Sequence, residues 1–125
     1  MPRKVIHFGC DDCHRVQVLC SAGYEVQESC TLDALARDLA RGHVDAVIVC
    51  EQDERTPDQV ADLVRRLSAV PLILFRRTQR EIRRSQFDRV YESLMNPENW
   101  LAETAELIAN TRPLIAGSPK RPART

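Results

Sequence analysis

The sequence predicts an α/β domain built on a five-stranded parallel sheet with helices on both faces. Three observations predict it. Short apolar runs alternate along the chain with apolar residues at helical spacing, the pattern that βα units leave in a sequence. The runs Ala46-Val47-Ile48-Val49-Cys50 and Leu72-Ile73-Leu74-Phe75 carry no polar interruption, as buried strands do. The length of 125 residues suits one domain with a substantial core and leaves no room for two.

The elements follow in order. Val5-Ile6-His7-Phe8 is a short apolar run stopped by Gly9, a buried strand. From Asp12 to Ala22, Cys13, Val16, Leu19 and Cys20 share one helical face, and Gly23 follows as a helix C-terminus favours. Tyr24-Glu25-Val26-Gln27 alternates as a strand does. Leu32, Leu35, Ala36 and Leu39 recur at helical spacing, and Gly42 ends that helix. After the strand at Ala46–Cys50, Thr56-Pro57-Asp58-Gln59 supplies a cap, a first-turn proline and a capping-box glutamine. Val60, Leu63, Val64 and Leu67 form the inner face of the helix that follows. Pro71 leads into the fourth strand, and Thr78 with Glu81 caps a short Arg-rich helix. A weak fifth strand falls at Arg89-Val90-Tyr91, and Asn96-Pro97-Glu98 opens a last helix carrying Trp100, Leu101, Ala105 and Ile108. Residues 112–125 are basic, Pro-rich and aperiodic, and read as a disordered tail to a domain spanning 1–111.

Hydrophobic residues make up 43% and charged residues 29%, which excludes a wholly disordered, collagen-like or coiled-coil chain. No apolar run approaches a membrane span. The N-terminal MPRKVIHFGCDDCHR has no secretory pattern, so the expected compartment is the cytoplasm, where thiols stay reduced. The net charge of zero hides a polarity: residues 1–62 hold six basic groups against twelve acidic ones, and residues 63–125 hold twelve against six. Such an asymmetry marks either a partner surface or a set of solvated helix faces.

At this length, right-handed crossovers give the flavodoxin-like strand order 2-1-3-4-5, a three-layer sandwich. Its crevice lies at the carboxyl ends of strands 1 and 3, which places Gly9-Cys10-Asp11 near Cys50-Glu51.

With KVIHFGCDD as strand 1, AGYEV at strand 2, HVDAVIVCE at strand 3, VPLILFRRT at strand 4 and VYESLMNPENWL from strand 5 onward, residues 3–111 resemble the receiver domain of bacterial two-component response regulators. The resemblance implies an acidic pair after strand 1 that holds Mg²⁺ and an Asp ending strand 3 that accepts a phosphoryl group. It also implies a Thr or Ser ending strand 4 and a Lys before a cis-Pro ending strand 5. Carboxylates suit Mg²⁺, and a metal with an ammonium offsets charge on the transferring group. This chain departs at each position. The acidic pair falls on Gly9 and Cys10, with Asp11 and Asp12 one or two residues late. The acceptor falls on Cys50, the hydroxyl position on Arg76, and the Lys-Pro position on Ser93-Leu94. Glu51 is a poor substitute acceptor, because a one-residue slip reverses the face it occupies. The expectation is a degenerate receiver, a pseudo-receiver.

In that family the fourth helix, fifth strand and fifth helix form the partner surface. Here the region carries Arg76, Arg77, Arg80, Arg83, Arg84 and Arg89, with Tyr91 beside them. Arginine offers bidentate donors to acidic groups. The same face is the expected route to a homodimer.

Cys10-Asp11-Asp12-Cys13-His14 matches Cys-x-x-Cys-His. Covalent haem attachment needs export and an axial ligand, and a redox dithiol belongs to a thioredoxin-like context. A metal site could draw on Cys10, Cys13, His14 and Cys50, but the usual second ligand pair is missing. Otherwise these cysteines, and Cys20 and Cys30 above all, are small buried hydrophobes. His7 reads as a hydrogen-bonded core residue and Trp100 as core. No residue pattern suggests enzyme chemistry, and no cofactor is expected.

The reading is therefore a stand-alone, non-phosphorylated interaction module acting on an unidentified signalling protein, without membrane contact. A thiol or metal sensor using Cys10, Cys13, His14 and Cys50 is the alternative. Nucleic-acid binding through Arg76–Arg89 comes third, since Phe87 alone interleaves the arginines and base stacking has little support.

Overall fold

A computed structural model describes residues 3–9, 14–51, 56–76, 86–92 and 97–111. The described residues form five strands: β1 (Lys4–Phe8), β2 (Glu25–Ser29), β3 (Ala46–Cys50), β4 (Leu72–Arg76) and β5 (Arg89–Glu92). All pair in parallel, in the order β2-β1-β3-β4-β5. The helices among the described residues are α1 (Arg15–Ser21), α2 (Leu32–Arg41), α3 (Thr56–Leu67) and α4 (Pro97–Thr111). The expected fold class and strand order are those observed. The Arg-rich helix after Thr78 and the tail lie outside the described residues.

Strand alternation splits the core in two. Ile6, Phe8, Val47, Val49, Leu72 and Leu74 pack with Leu35 of α2 and with Val60, Ala61 and Val64 of α3. On the opposite face Val5, Ile48, Ile73, Phe75 and Tyr91 pack with Leu19 of α1 and with Trp100 and Ile108 of α4. The result is three layers.

Two carboxylates fix the amino ends of the strands. Asp45 donates its N–H to the Lys4 carbonyl (2.8 Å) and accepts the Lys4 N–H on Oδ2 (2.9 Å). Asp88 repeats this with Leu72, at 2.8 and 2.7 Å. Arg65 of α3 donates to the carbonyls of Val70 and Gln86 and to Asp88, and so ties α3 to the start of β5. Thr31 caps α2 by accepting the Ala34 N–H at 3.1 Å.

Three core expectations are corrected. Cys20 and Cys30 are exposed. The buried face of α1 is Arg15 and Leu19, so the helix is rotated from the Cys13/Val16/Leu19/Cys20 face, of which Cys13 lies outside the described residues. Leu67, the last residue of α3, is 51% exposed and not part of the helix's inner face. Trp100 and His7 are buried as expected. Among the described residues no helix is long and apolar enough to cross a membrane.

Candidate functional site

The crevice position is the carboxyl end of β1, β3 and β4. Gly9 leaves β1 at φ +103°, a conformation that favours glycine. A Cβ at Gly9 would lie 2.8 Å from the Cys50 carbonyl oxygen and 3.3 Å from the Cys50 Cβ. The ends of β1 and β3 therefore touch at the backbone, where the resemblance implies an acidic side chain facing an acceptor. Cys50 is fully buried, and its thiol points weakly at the Glu51 carbonyl, 3.9 Å away.

Glu51 continues the ladder past β3, donating its N–H to the Phe75 carbonyl at 3.0 Å. Its side chain is wholly buried, and Oε1 lies 3.9 Å from Nε of Arg76, itself only 8% exposed. Phe75 faces α1 and α4, so by alternation Arg76 turns to the opposite face, where it meets Glu51. Two charges withdrawn from water are tolerated because each neutralises the other.

A second guanidinium lies on the other face. Arg15 is 1% exposed, and its guanidinium sits 4.4 Å above the centroid of the Phe75 ring. Its Nε donates to His7 Nε2 at 3.4 Å. Trp100 meets Phe75 edge-on and Tyr91 meets it tilted, with centroids 5.3 and 5.4 Å away. His14, just before α1, is exposed and holds φ +57°.

The sequence-predicted site residues divide accordingly. Gly9, Cys50, Glu51 and Arg76 meet at the crevice. Cys10, Asp11, Cys13 and Ser93 lie outside the described residues, as do Arg77, Arg80, Arg83 and Arg84. Arg76 and Tyr91, expected on a partner surface, are instead buried: the first pairs with Glu51, and the second fills the α4 face of the sheet. Arg89 is exposed and lies 3.4 Å from Glu103 of α4. Tyr91 donates to the same carboxylate at 2.5 Å. Burial, then the bond to Glu103 and its charge, push the Tyr91 phenol far above its ordinary value.

Arg15 escaped the sequence reading. The signal that could have found it is its i, i+4 spacing to Leu19, on the one helical face that reaches the sheet. Among the described residues no three His, Cys, Asp or Glu side chains form a group able to hold a metal ion.

Many solved structures share this architecture. The receiver domain of the TMAO respiratory system response regulator TorR superposes with a TM-score of 0.72 at 13% identity, covering 88% of this chain and 99% of that one. The chemotaxis response regulator CheY4 of Vibrio cholerae gives 0.69 at 17%, covering 86% and 99%. The receiver domain of a sensor histidine kinase from Pseudomonas aeruginosa, solved with magnesium coordinated in its active-site cleft, gives 0.64 at 13%, covering 87% and 99%. The fold is the receiver fold. No protein-family model matches the chain, and no curated protein matches it in sequence.

The described residues of this receiver fold do not suit the magnesium ion that the fold implies. Gly9 has no side chain, Cys50 offers a soft, buried sulfur, and the Glu51 carboxylate is engaged by Arg76. Mg²⁺ asks for hard oxygen ligands held in an octahedron. No catalytic step through the metal follows from these positions.

Proposed function

We propose that this chain is a pseudo-receiver: a receiver-fold module of two-component-type signalling that acts through protein interaction and does not accept a phosphoryl group. One observation carries the reading. The strand-end position of the acceptor carries a buried thiol, Cys50, and Gly9 is packed against it so closely that a side chain at position 9 has no room. The buried Glu51–Arg76 pair supports it, since Arg76 stands where the family's hydroxyl moves to report phosphorylation.

Output then rests on surfaces. The partner is an unidentified signalling protein, or a second copy, engaged through the region of β5 and α4, where Arg89 and Glu103 form a partly exposed ion pair. The arginines at 77, 80, 83 and 84 extend the proposed face in the sequence.

Incubation with Mg²⁺ and acetyl phosphate, followed by intact-mass measurement, tests the reading. The expected result is no mass gain. An acid-stable, base-labile phosphoryl adduct at any carboxylate would overturn it. For the partner face, pull-downs with wild-type bait and with an Arg80/Arg83/Arg84 charge-reversed bait should recover different proteins. Equal recovery removes that face from the proposal.

A further inference from the structure

The end of the sheet opposite the crevice carries a groove of about 420 Å³. Its lining comes from the loops that feed β3 and β4, from Leu39 of α2 and from Ile108 of α4. Leu39, Val44, Val70, Pro71 and Ile108 make it mainly apolar. Two of its polar side chains are partnered within the domain. Asp45 accepts the Lys4 N–H on Oδ2 at 2.9 Å, and its Oδ1 lies 2.7 Å from His43 Nε2. Ser68 Oγ accepts the Val70 N–H at 3.3 Å. What the groove offers is apolar surface, which suits branched aliphatic side chains that leave water on entering it.

The chain itself brings such side chains to this place. A helix that follows a strand of a parallel sheet runs back along it, so α4 ends at the amino ends of the strands, where Ile108 lines the groove. α4 closes at Thr111, less than one turn beyond Ile108. Arg112-Pro113-Leu114-Ile115 follows, outside the described residues. Pro113 has no N–H to continue a helix and disfavours helical geometry at Arg112, so the chain departs from the helix axis at this point. Three extended residues span about 10 Å, enough to carry Leu114 from the end of α4 back over Ile108. Leu114 and Ile115 are the only large aliphatic residues from 112 onward. The charges there, Arg112, Lys120, Arg121 and Arg124, are all basic. Among the described lining residues Asp45 is acidic and none is Lys or Arg, so charge in the lining does not oppose the approach.

We infer that Leu114 and Ile115 fold back into this groove and cover its apolar lining. Tethered a few residues away, the pair acts at an effective concentration on the order of millimolar, which favours it over a free ligand. The packed domain then runs past residue 111 to Ile115, and the basic residues from Lys120 onward issue from the end of the sheet remote from Gly9 and Cys50. The inference is independent of the phosphoryl-transfer question.

Methyl-resolved NMR of the full chain tests it. Overhauser contacts should join methyls of Leu39, Val70 and Ile108 to those of Leu114 and Ile115. Leu114→Ser/Ile115→Ser should abolish them, shift the groove methyls and lower the urea midpoint. Lys120→Ser/Arg121→Ser should leave the groove methyls where they are. In a mixture of methyl-labelled and unlabelled chains, the contacts should stay within one chain. No contact to Leu114 or Ile115, or groove methyls unmoved by Leu114→Ser/Ile115→Ser, would overturn the inference. So would contacts found only between chains, which give the groove to a second copy.

Discussion

Gly9 does at one residue what the crevice needs. Its left-handed φ excludes most side chains, and its approach to Cys50 excludes them again by contact. Gly23 shares the conformation, at φ +98°, but a Cβ there meets nothing within 4 Å. The pair separates strain from clash. Gly23→Ala should cost about 1 kcal/mol in urea unfolding, and Gly9→Ala about 2–3 kcal/mol, the excess being the contact with the Cys50 carbonyl. Gly9→Asp, which restores an acidic residue, should cost at least as much. Equal losses at the two glycines would remove the clash from the account. Glu51 and Arg76 form the other residue-scale dependence. Glu51→Gln removes a buried negative charge 3.9 Å from the Arg76 guanidinium and should cost about 3–5 kcal/mol, much of it regained in Glu51→Gln/Arg76→Met. A double variant no more stable than the single one would deny the coupling.

Elements are joined by single polar contacts whose loss is measurable. Asp88 accepts the Leu72 N–H, so Asp88→Ala strands a partly buried donor at the start of β4 and should cost about 1–3 kcal/mol, whereas Asp88→Asn keeps an acceptor and should cost less. β5 is joined to α4 through Tyr91 and Glu103. The folded protein holds the Tyr91 proton more tightly than the unfolded chain, whose phenol titrates near 10. That contribution is full below pH about 10 and declines as the pH rises through and beyond it. Tyr24 is shifted the same way, chiefly by burial. Phenolate absorbance should therefore lag the ordinary titration and rise together with unfolding. Tyr91→Phe should lose less stability over that alkaline limb than the parent. A normal phenolate titration in the folded state would contradict both shifts.

For the whole molecule, the one sheet is shared by both core clusters, so loss of either helix layer exposes an apolar face of the strands on which the other layer packs. Trp100, packed on Phe75, reports one face, and far-UV circular dichroism reports all the helices. Their denaturant transitions should coincide, as in a two-state domain. Separate midpoints would mean that the α1/α4 layer opens on its own. The receiver fold was legible at this scale because the order of elements constrains it. Parallel strands need crossovers, crossovers are right-handed, and the buried runs at β3 and β4 have to be central. The weak β5 was legible only approximately: Arg89-Val90-Tyr91 has one apolar aliphatic residue, and its place is set by Asp88 and by pairing to β4.

The sequence by itself determined the periodicities, and with them the five strands, their order and the register that sets Gly9, Cys50 and Arg76 at the ends of β1, β3 and β4. These are local or combinatorial properties, readable without knowing what touches what. The tertiary structure decided which charges go inside. Arg76 reads as a surface residue and Arg15 passes unremarked, because an arginine is buried only when a partner stands ready for it, and those partners come from elsewhere in the chain. Phe75 and His7 receive Arg15, and Glu51 receives Arg76. Cys20 and Cys30 went the other way, exposed by the rotation of α1 and by the turn beyond the end of β2, because a small apolar residue is buried only if its element aims it at the sheet.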